Sequence, residues 1–196
     1  MTNLERIVVS ICGPSGSGKS QLAKAIVAAL GYTQCGRIPG DNFLVPSNEP
    51  LAAFLARPLQ YDWNLISQAL RLPIGTLSSI PLFDFDTMTR LSDRGGTQFV
   101  VRPIMVLDAM YPFPAAHMKI LVTAADDVRK ARIIERDRRW ESRVIDRWNN
   151  LEISRLHAEA LSTSWDLILD GTQSLGSNAT LIVACIARFS GGSRTL

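Results

Sequence analysis

Histidine and cysteine are scarce. The 196-residue chain holds two histidines, His117 and His157, and three cysteines, Cys12, Cys35 and Cys185, none in a paired ligand spacing. That pattern argues against a zinc site and against a redox dithiol. A scattered, odd set of thiols suits a reducing compartment, where cysteine serves as a small buried apolar group. No apolar run approaches the roughly 18 residues of a membrane-spanning helix, and Ile7 to Cys12 is too short and wrongly flanked for a secretory signal. The expectation is a cytoplasmic protein with no membrane partner. An excess of one charge is lacking too. Against 21 basic residues stand 18 acidic ones, leaving +3, too little to mark a nucleic-acid binder unless the positive residues gather on one face.

What is present is core-forming material. Hydrophobic residues make up 46% of the chain and charged residues 20%, which excludes disorder as a whole-chain state. At about 150 residues per domain the length favours a single domain over 1–196. A short β-branched run, Ile7 to Cys12, ends at Gly13-Pro14 and reads as a buried strand feeding a turn. Leu22, Ala25, Ile26 and Ala29 then recur at helical spacing up to Gly31. Further strands are expected at Thr33–Ile38, Ile104–Leu107, Lys119–Val122 and Asp166–Leu169, and a last helix at Gly176–Phe189. This alternation predicts an α/β chain with a parallel sheet. Prolines, the Gly95-Gly96 pair and the alternating Thr97–Val101 predict an edge hairpin inserted at about 74–102.

Gly13-Pro14-Ser15-Gly16-Ser17-Gly18-Lys19-Ser20 fits G-x-x-x-x-G-K-[ST] at every specified position, between a strand and a helix. Glycines let the backbone aim its N–H groups at an anion, and the helix N-terminus adds partial positive charge. Phosphate is the expected guest, and Gln21 completes the ATP-binding set. Lys19 is expected at the β- and γ-phosphates and the Ser20 hydroxyl at Mg²⁺, whose charge offsets that developing on a transferred phosphoryl group. A guanine-reading Asn-Lys-x-Asp and a transporter Leu-Ser-Gly-Gly are both absent. Transfer to a small molecule becomes the leading expectation, with a nucleotide-dependent sensor or binding module and a simple NTP hydrolase as alternatives.

Acids at strand ends matter most, because the ligand crevice of an open α/β sheet lies there. Asp41 follows the second strand and is expected to orient a substrate hydroxyl as catalytic base; turn formation or capping is the plainer role, and the adjoining phosphate loop favours the catalytic one. Asp108 ends Ile104-Met105-Val106-Leu107 and is expected either to hold a magnesium-bound water or to pair with Lys19. Metal contact thus falls to Ser20 with Asp41 or Asp108. Arg129, Arg132, Arg136, Arg139 and Arg143 recur in steps of three and four, on one side of a helix. A solvated charged face is the plain explanation. Beside a phosphate loop, a lid at about 126–147 that brings Arg132 and Arg136 to the phosphates is preferred, and a nucleic-acid surface is not, since only Trp140 interleaves.

Together these residues resemble the uridine kinase and nicotinamide riboside kinase group of P-loop kinases, from Ile7 to about Leu175. Asp41-Asn42-Phe43 is similar to the group's Asp-x-Phe, whose Asp is the catalytic base. Arg132-Ile-Ile-Glu-Arg136-Asp137 is similar to its lid. Pro81-Leu-Phe83-Asp84-Phe85 through Arg90 resembles the uridine kinase hairpin, and Leu59-Gln60-Tyr61-Asp62 resembles a riboside kinase segment whose Tyr stacks on the base and whose Asp binds ribose. Asp170-Gly171-Thr172-Gln173-Ser174 is similar to the turn near adenine, which implies Thr172 there. The resemblance implies a P-loop NTPase fold: a five-stranded, mainly parallel sheet with helices on both faces, an edge hairpin and a helical lid. It also implies ATP- and Mg²⁺-dependent transfer to a nucleoside or sugar-like hydroxyl, with Asp41, Tyr61, Asp62, Phe83, Met88 and Arg136 around the acceptor, and it is compatible with a homo-oligomer. The departures fall on recognition. Ala56-Arg57-Pro58 replaces an acid before His-Pro, Phe83 and Met88 replace a base-reading Tyr and His, Asp108-Ala109 replaces Glu-Gly, and Glu141-Ser142-Arg143 replaces Arg-Gly-Arg.

Overall fold

A computed structural model of the chain describes residues 6–50, 53, 60–80, 82–84, 87, 89–91, 97–137 and 164–191. In chain order the elements begin with β1 (Ile7–Cys12), α1 (Lys19–Leu30), β2 (Cys35–Pro39), a 3₁₀ turn (Gly40–Phe43) and α2 (Trp63–Arg71). Next come β3 (Leu77–Ile80), β4 (Leu82–Asp84), β5 (Thr89–Leu91) and β6 (Thr97–Val100). Then follow β7 (Ile104–Asp108), β8 (Met118–Thr123), α3 (Asp126–Asp137), β9 (Leu167–Asp170) and α4 (Leu175–Gly191). The main sheet has five strands in the order β2-β7-β1-β8-β9. Every neighbouring pair is parallel, so "mainly parallel" becomes wholly parallel for this sheet.

Alternation along the strands sends side chains to two faces. Val9, Ile11, Val106, Ile120 and Val122 pack under α1 and α4 with Leu22, Ile26, Ile182 and Ile186. On the other face Val8, Ile38, Met105 and Leu107 meet Ile66, Ala69 and Leu70 of α2 and Phe99 of β6. A central parallel strand buried on both sides must be apolar throughout, which is why β1 and β7 read as continuous runs. Pairing of Ile11 and Pro39 with Asp108 brings the carboxyl ends of β1, β2 and β7 level. The loops that leave those ends therefore share one rim.

The expected edge hairpin is two antiparallel ladders, β3 with β6 and β4 with β5, and neither joins the main sheet. Strands of three or four residues carry too little alternation to separate the two in the sequence. Of the expected lid, α3 is described to Asp137. Residues 138–163, with the rest of that lid, lie outside the described residues, as do 192–196.

Candidate active site

Residues 13–18 carry the chain from the centre of the sheet to α1. Gly18 is the N-cap, at φ 101°, and supplies no side-chain cap; the first turn of α1 holds no acid. The helix start thus keeps its amide donors and partial positive charge for a guest in the loop. Gly13, Pro14 and Ser17 are buried, Ser15, Gly16, Lys19 and Ser20 half-buried and Gln21 exposed. Lys19 Nζ donates to the Pro14 carbonyl at 3.4 Å, folded over its own loop.

Neighbouring elements hold that loop by close backbone approach. At Gly16, φ 79°, a Cβ would stand 2.6 Å from the Arg129 carbonyl oxygen. At Gly171, after β9, it would overlap the Ser17 carbonyl oxygen. Arg132 closes the clamp: Nη1 donates to the carbonyls of Gly16 at 3.0 Å and Ser17 at 3.4 Å, and Nη2 to that of Gly171 at 3.0 Å. Gly171→Ala must push the turn off the loop. We expect a loss of about 1–3 kcal/mol in stability, seen as a Tm lower by several degrees. Affinity for nucleotide should fall about tenfold, or ~1.4 kcal/mol, in a direct titration; unchanged affinity would remove the clamp from the binding site.

Beside the clamp opens a cavity of about 480 Å³, lined by Lys19, Ser20, Gln21, Arg132, Arg136 and Gln173, by the acid Glu135 and by Leu175, with backbone from Gly16, Gly18 and Gly171. The arginines do not form one exposed stripe. Arg129 is fully buried and ion-paired with Asp126, Arg132 turns into the loop, and Arg136 is exposed at the cavity. The spacing places them on one side of α3, but that side faces the phosphate loop. Arg136 lines this cavity together with the glycine loop, and Arg139 and Arg143 lie outside the described residues. Thr172 is also redirected. Its N–H and hydroxyl both donate to Asp170 Oδ1, at 2.8 and 2.7 Å, and these bonds hold the Asp170 carboxyl below its ordinary range. Its neighbours Gly171 and Gln173 face the cavity instead.

Across β7, Asp41 is exposed on the 3₁₀ turn after β2. Arg90 of β5 braces this turn, donating through Nε to the Leu44 carbonyl at 3.0 Å and through Nη2 to that of Phe43 at 3.1 Å. Its Nη1 reaches Asp62 Oδ2 at 3.2 Å. Asp62 caps α2, its Oδ1 accepting from Leu65 N at 2.9 Å, so each oxygen of the carboxylate expected at ribose has a partner within the chain. Tyr61, expected to stack on a base, is buried. Its ring lies against Trp63 with centroids 4.7 Å apart and planes 18° apart. Half-buried Phe83 packs on the cluster of Leu44, Tyr61, Met110 and Tyr111. Met88 lies outside the described residues.

Asp108 is 4% exposed, and both of its oxygens accept from Arg37, Nε and Nη2 each at 2.7 Å. The partner is Arg37, not Lys19, and a fork already filling both oxygens leaves Asp108 badly placed to hold metal. Arg37 belongs to none of the motifs in the sequence. The available signal was a lone cation inside Cys35-Gly-Arg-Ile-Pro, a strand whose burial demands an acid nearby. Gly171 and Arg90 stand there only as members of motifs.

No protein-family model matches the chain. The chain is 28% identical over 139 residues to uridine-cytidine kinase A of Dictyostelium discoideum, covering 67% of this chain and 28% of that protein. It is 27% identical over 151 residues to a uridine kinase of Streptococcus mutans, covering 71% and 72%. A uridine kinase of Streptococcus agalactiae is 29% identical over 151 residues, with the same coverage. The match thus spans under a third of the Dictyostelium protein and about seven-tenths of the bacterial ones. Among solved structures, one from Silicibacter sp. TM1040, provisionally described as a fructose transport system kinase, superposes with a TM-score of 0.65. It is 22% identical over 84% of this chain and 90% of that one. A possible uridine kinase from Bacillus stearothermophilus gives a TM-score of 0.54 at 18% identity, covering 87% and 91%. The fold is that of the P-loop kinases.

Proposed function

We propose that the chain is an ATP- and Mg²⁺-dependent kinase that transfers the γ-phosphoryl group to a hydroxyl of a small metabolite, with a nucleoside or sugar-like acceptor. One observation carries this. An uncapped helix start inside a glycine loop and an exposed acid on the turn after β2 share one rim of the sheet, one strand apart. The first suits polyphosphate and the second an alcohol to be aimed at it. Similarity to uridine kinases supports the same class of reaction.

Loop amides and Lys19 hold the phosphates, Arg132 keeps the loop closed on them, and Arg136 lies at the cavity where the nucleotide extends. Among the described residues no group of three or more His, Cys, Asp and Glu gathers as a metal cage. Magnesium does not require one, since it is commonly held by one or two carboxylates together with substrate phosphates. Ser20 and Asp41 are the protein groups that would hold it, and when bound it offsets charge on the phosphoryl group. Asp41 orients the acceptor hydroxyl and takes its proton late in the transfer. Among the described residues no helix is long and apolar enough to cross a membrane, and we place the enzyme in the cytoplasm.

Acceptor-dependent ADP release tests the proposal, with nucleosides, ribosides, hexoses and polyols as the panel. Release that needs one of these acceptors is the expected result. Tight ATP binding without such release would make the protein a binding module, and release without any acceptor would make it a hydrolase.

A further inference from the structure

We infer that Tyr61 is the positioning residue for Asp41: its phenol fixes the carboxylate that aims the acceptor hydroxyl, and its ring is not an acceptor contact. This rests on the kinase proposal above and assigns a new role within the same site.

The 3₁₀ turn that carries Asp41 is four residues long and leaves the side chain exposed. Such a carboxylate would sample several rotamers unless something outside the turn selected one. Tyr61 is built to do so. Its backbone is pinned to the strand leaving the turn through an antiparallel bridge between Leu44 and Tyr61. Flanking bonds run from Asp62 N to the Phe43 carbonyl at 2.8 Å and from Val45 N to the Gln60 carbonyl at 2.9 Å. Trp63 covers the ring face, and Tyr111 meets it edge-on with centroids 6.1 Å apart and planes at 82°. Only the hydroxyl remains to act.

That hydroxyl receives the Met110 N–H at 3.0 Å and lies 3.3 Å from Asp41 Oδ1. A phenol has one proton. With Met110 as donor to the oxygen, that proton is aimed at Asp41. Burial, and then the charge of Asp41, push the phenol well above its ordinary value. Met110 follows β7 and its carbonyl accepts from Gly13 N at 3.3 Å. A continuous chain therefore runs from the first residue of the phosphate loop through Met110 and Tyr61 to Asp41, and fixes the acid relative to the phosphates. Correct placement of reacting groups is worth large rate factors, and loosening one group by an ångström costs on the order of a hundredfold.

The test is Tyr61→Phe, which keeps the ring packing and deletes the proton, read beside Asp41→Asn and the double variant. Tyr61→4-fluorophenylalanine fills the space of the hydroxyl and serves if the first variant does not fold. We expect kcat to fall by about 10- to 100-fold while KM for ATP stays within about twofold of wild type. The double variant should be no slower than Asp41→Asn alone, because Tyr61 acts through Asp41. A purely structural role would instead multiply the two losses. Multiplied losses, or a kcat within about threefold of wild type, would overturn the inference while leaving the kinase standing. A wild-type protein that turns over no acceptor would overturn both together.

Discussion

Asp41→Asn is expected to lower kcat by about 10² to 10⁴, or ~2.7–5.5 kcal/mol of barrier, with ATP affinity within about twofold of wild type. The asymmetry follows from where the residue sits. Asp41 belongs to the turn after β2, and the cavity beside the glycine loop is built from α1, α3 and the turn after β9, on the other side of β7. Asparagine preserves the shape and can still accept the Tyr61 hydroxyl bond, so the turn should persist; the anion that takes the hydroxyl proton is lost. Steady-state kinetics with the responding acceptor, paired with an ATP titration, separate the two effects. Turnover within about threefold of wild type would remove Asp41 as the base. A parallel loss of ATP affinity would make its hold on the metal, and not on the acceptor hydroxyl, the larger of its two roles.

Continuous patterns were legible in the sequence and pairings were not. Ile7–Cys12, the glycine loop and the amphipathic Leu22–Ala29 stand contiguously, so local physics alone defines strand, cradle and helix start, and the parallel sheet follows from repeating that unit. Arg132 illustrates the limit. Its spacing on α3 gives the right side of the helix, but that this side covers Gly16 and Gly171 depends on how α3 docks, which no local pattern records. Tyr61 and Asp62 make the same point from the acceptor side. Resemblance makes both of them ligand contacts, while in the structure one is stacked on Trp63 and the other caps α2 and binds Arg90. Which of these side chains face solvent is decided by packing.

Breaking the Arg37–Asp108 pair from one side is expected to be costly, and removing both partners together nearly harmless to stability. The acid is 4% exposed and the arginine side chain 24%. Losing one partner of a buried pair costs ~3–5 kcal/mol because the other charge is stranded; partial solvation of Arg37 lowers this, and we expect about 2–3 kcal/mol for Asp108→Leu or Arg37→Met alone. The joint variant should lie within about 1 kcal/mol of wild type, since the paired apolar replacements, together close to the volume of the pair, recover the desolvation that the ions suffer. Denaturant unfolding of the four proteins measures this. The same set decides what Asp108 does at the site. Arg37 already occupies both oxygens, so the magnesium dependence of ATP binding should change by less than about threefold in the joint variant, under ~0.7 kcal/mol. A larger shift in a variant that retains full stability would return Asp108 to the metal and require Arg37 to swing away when nucleotide binds.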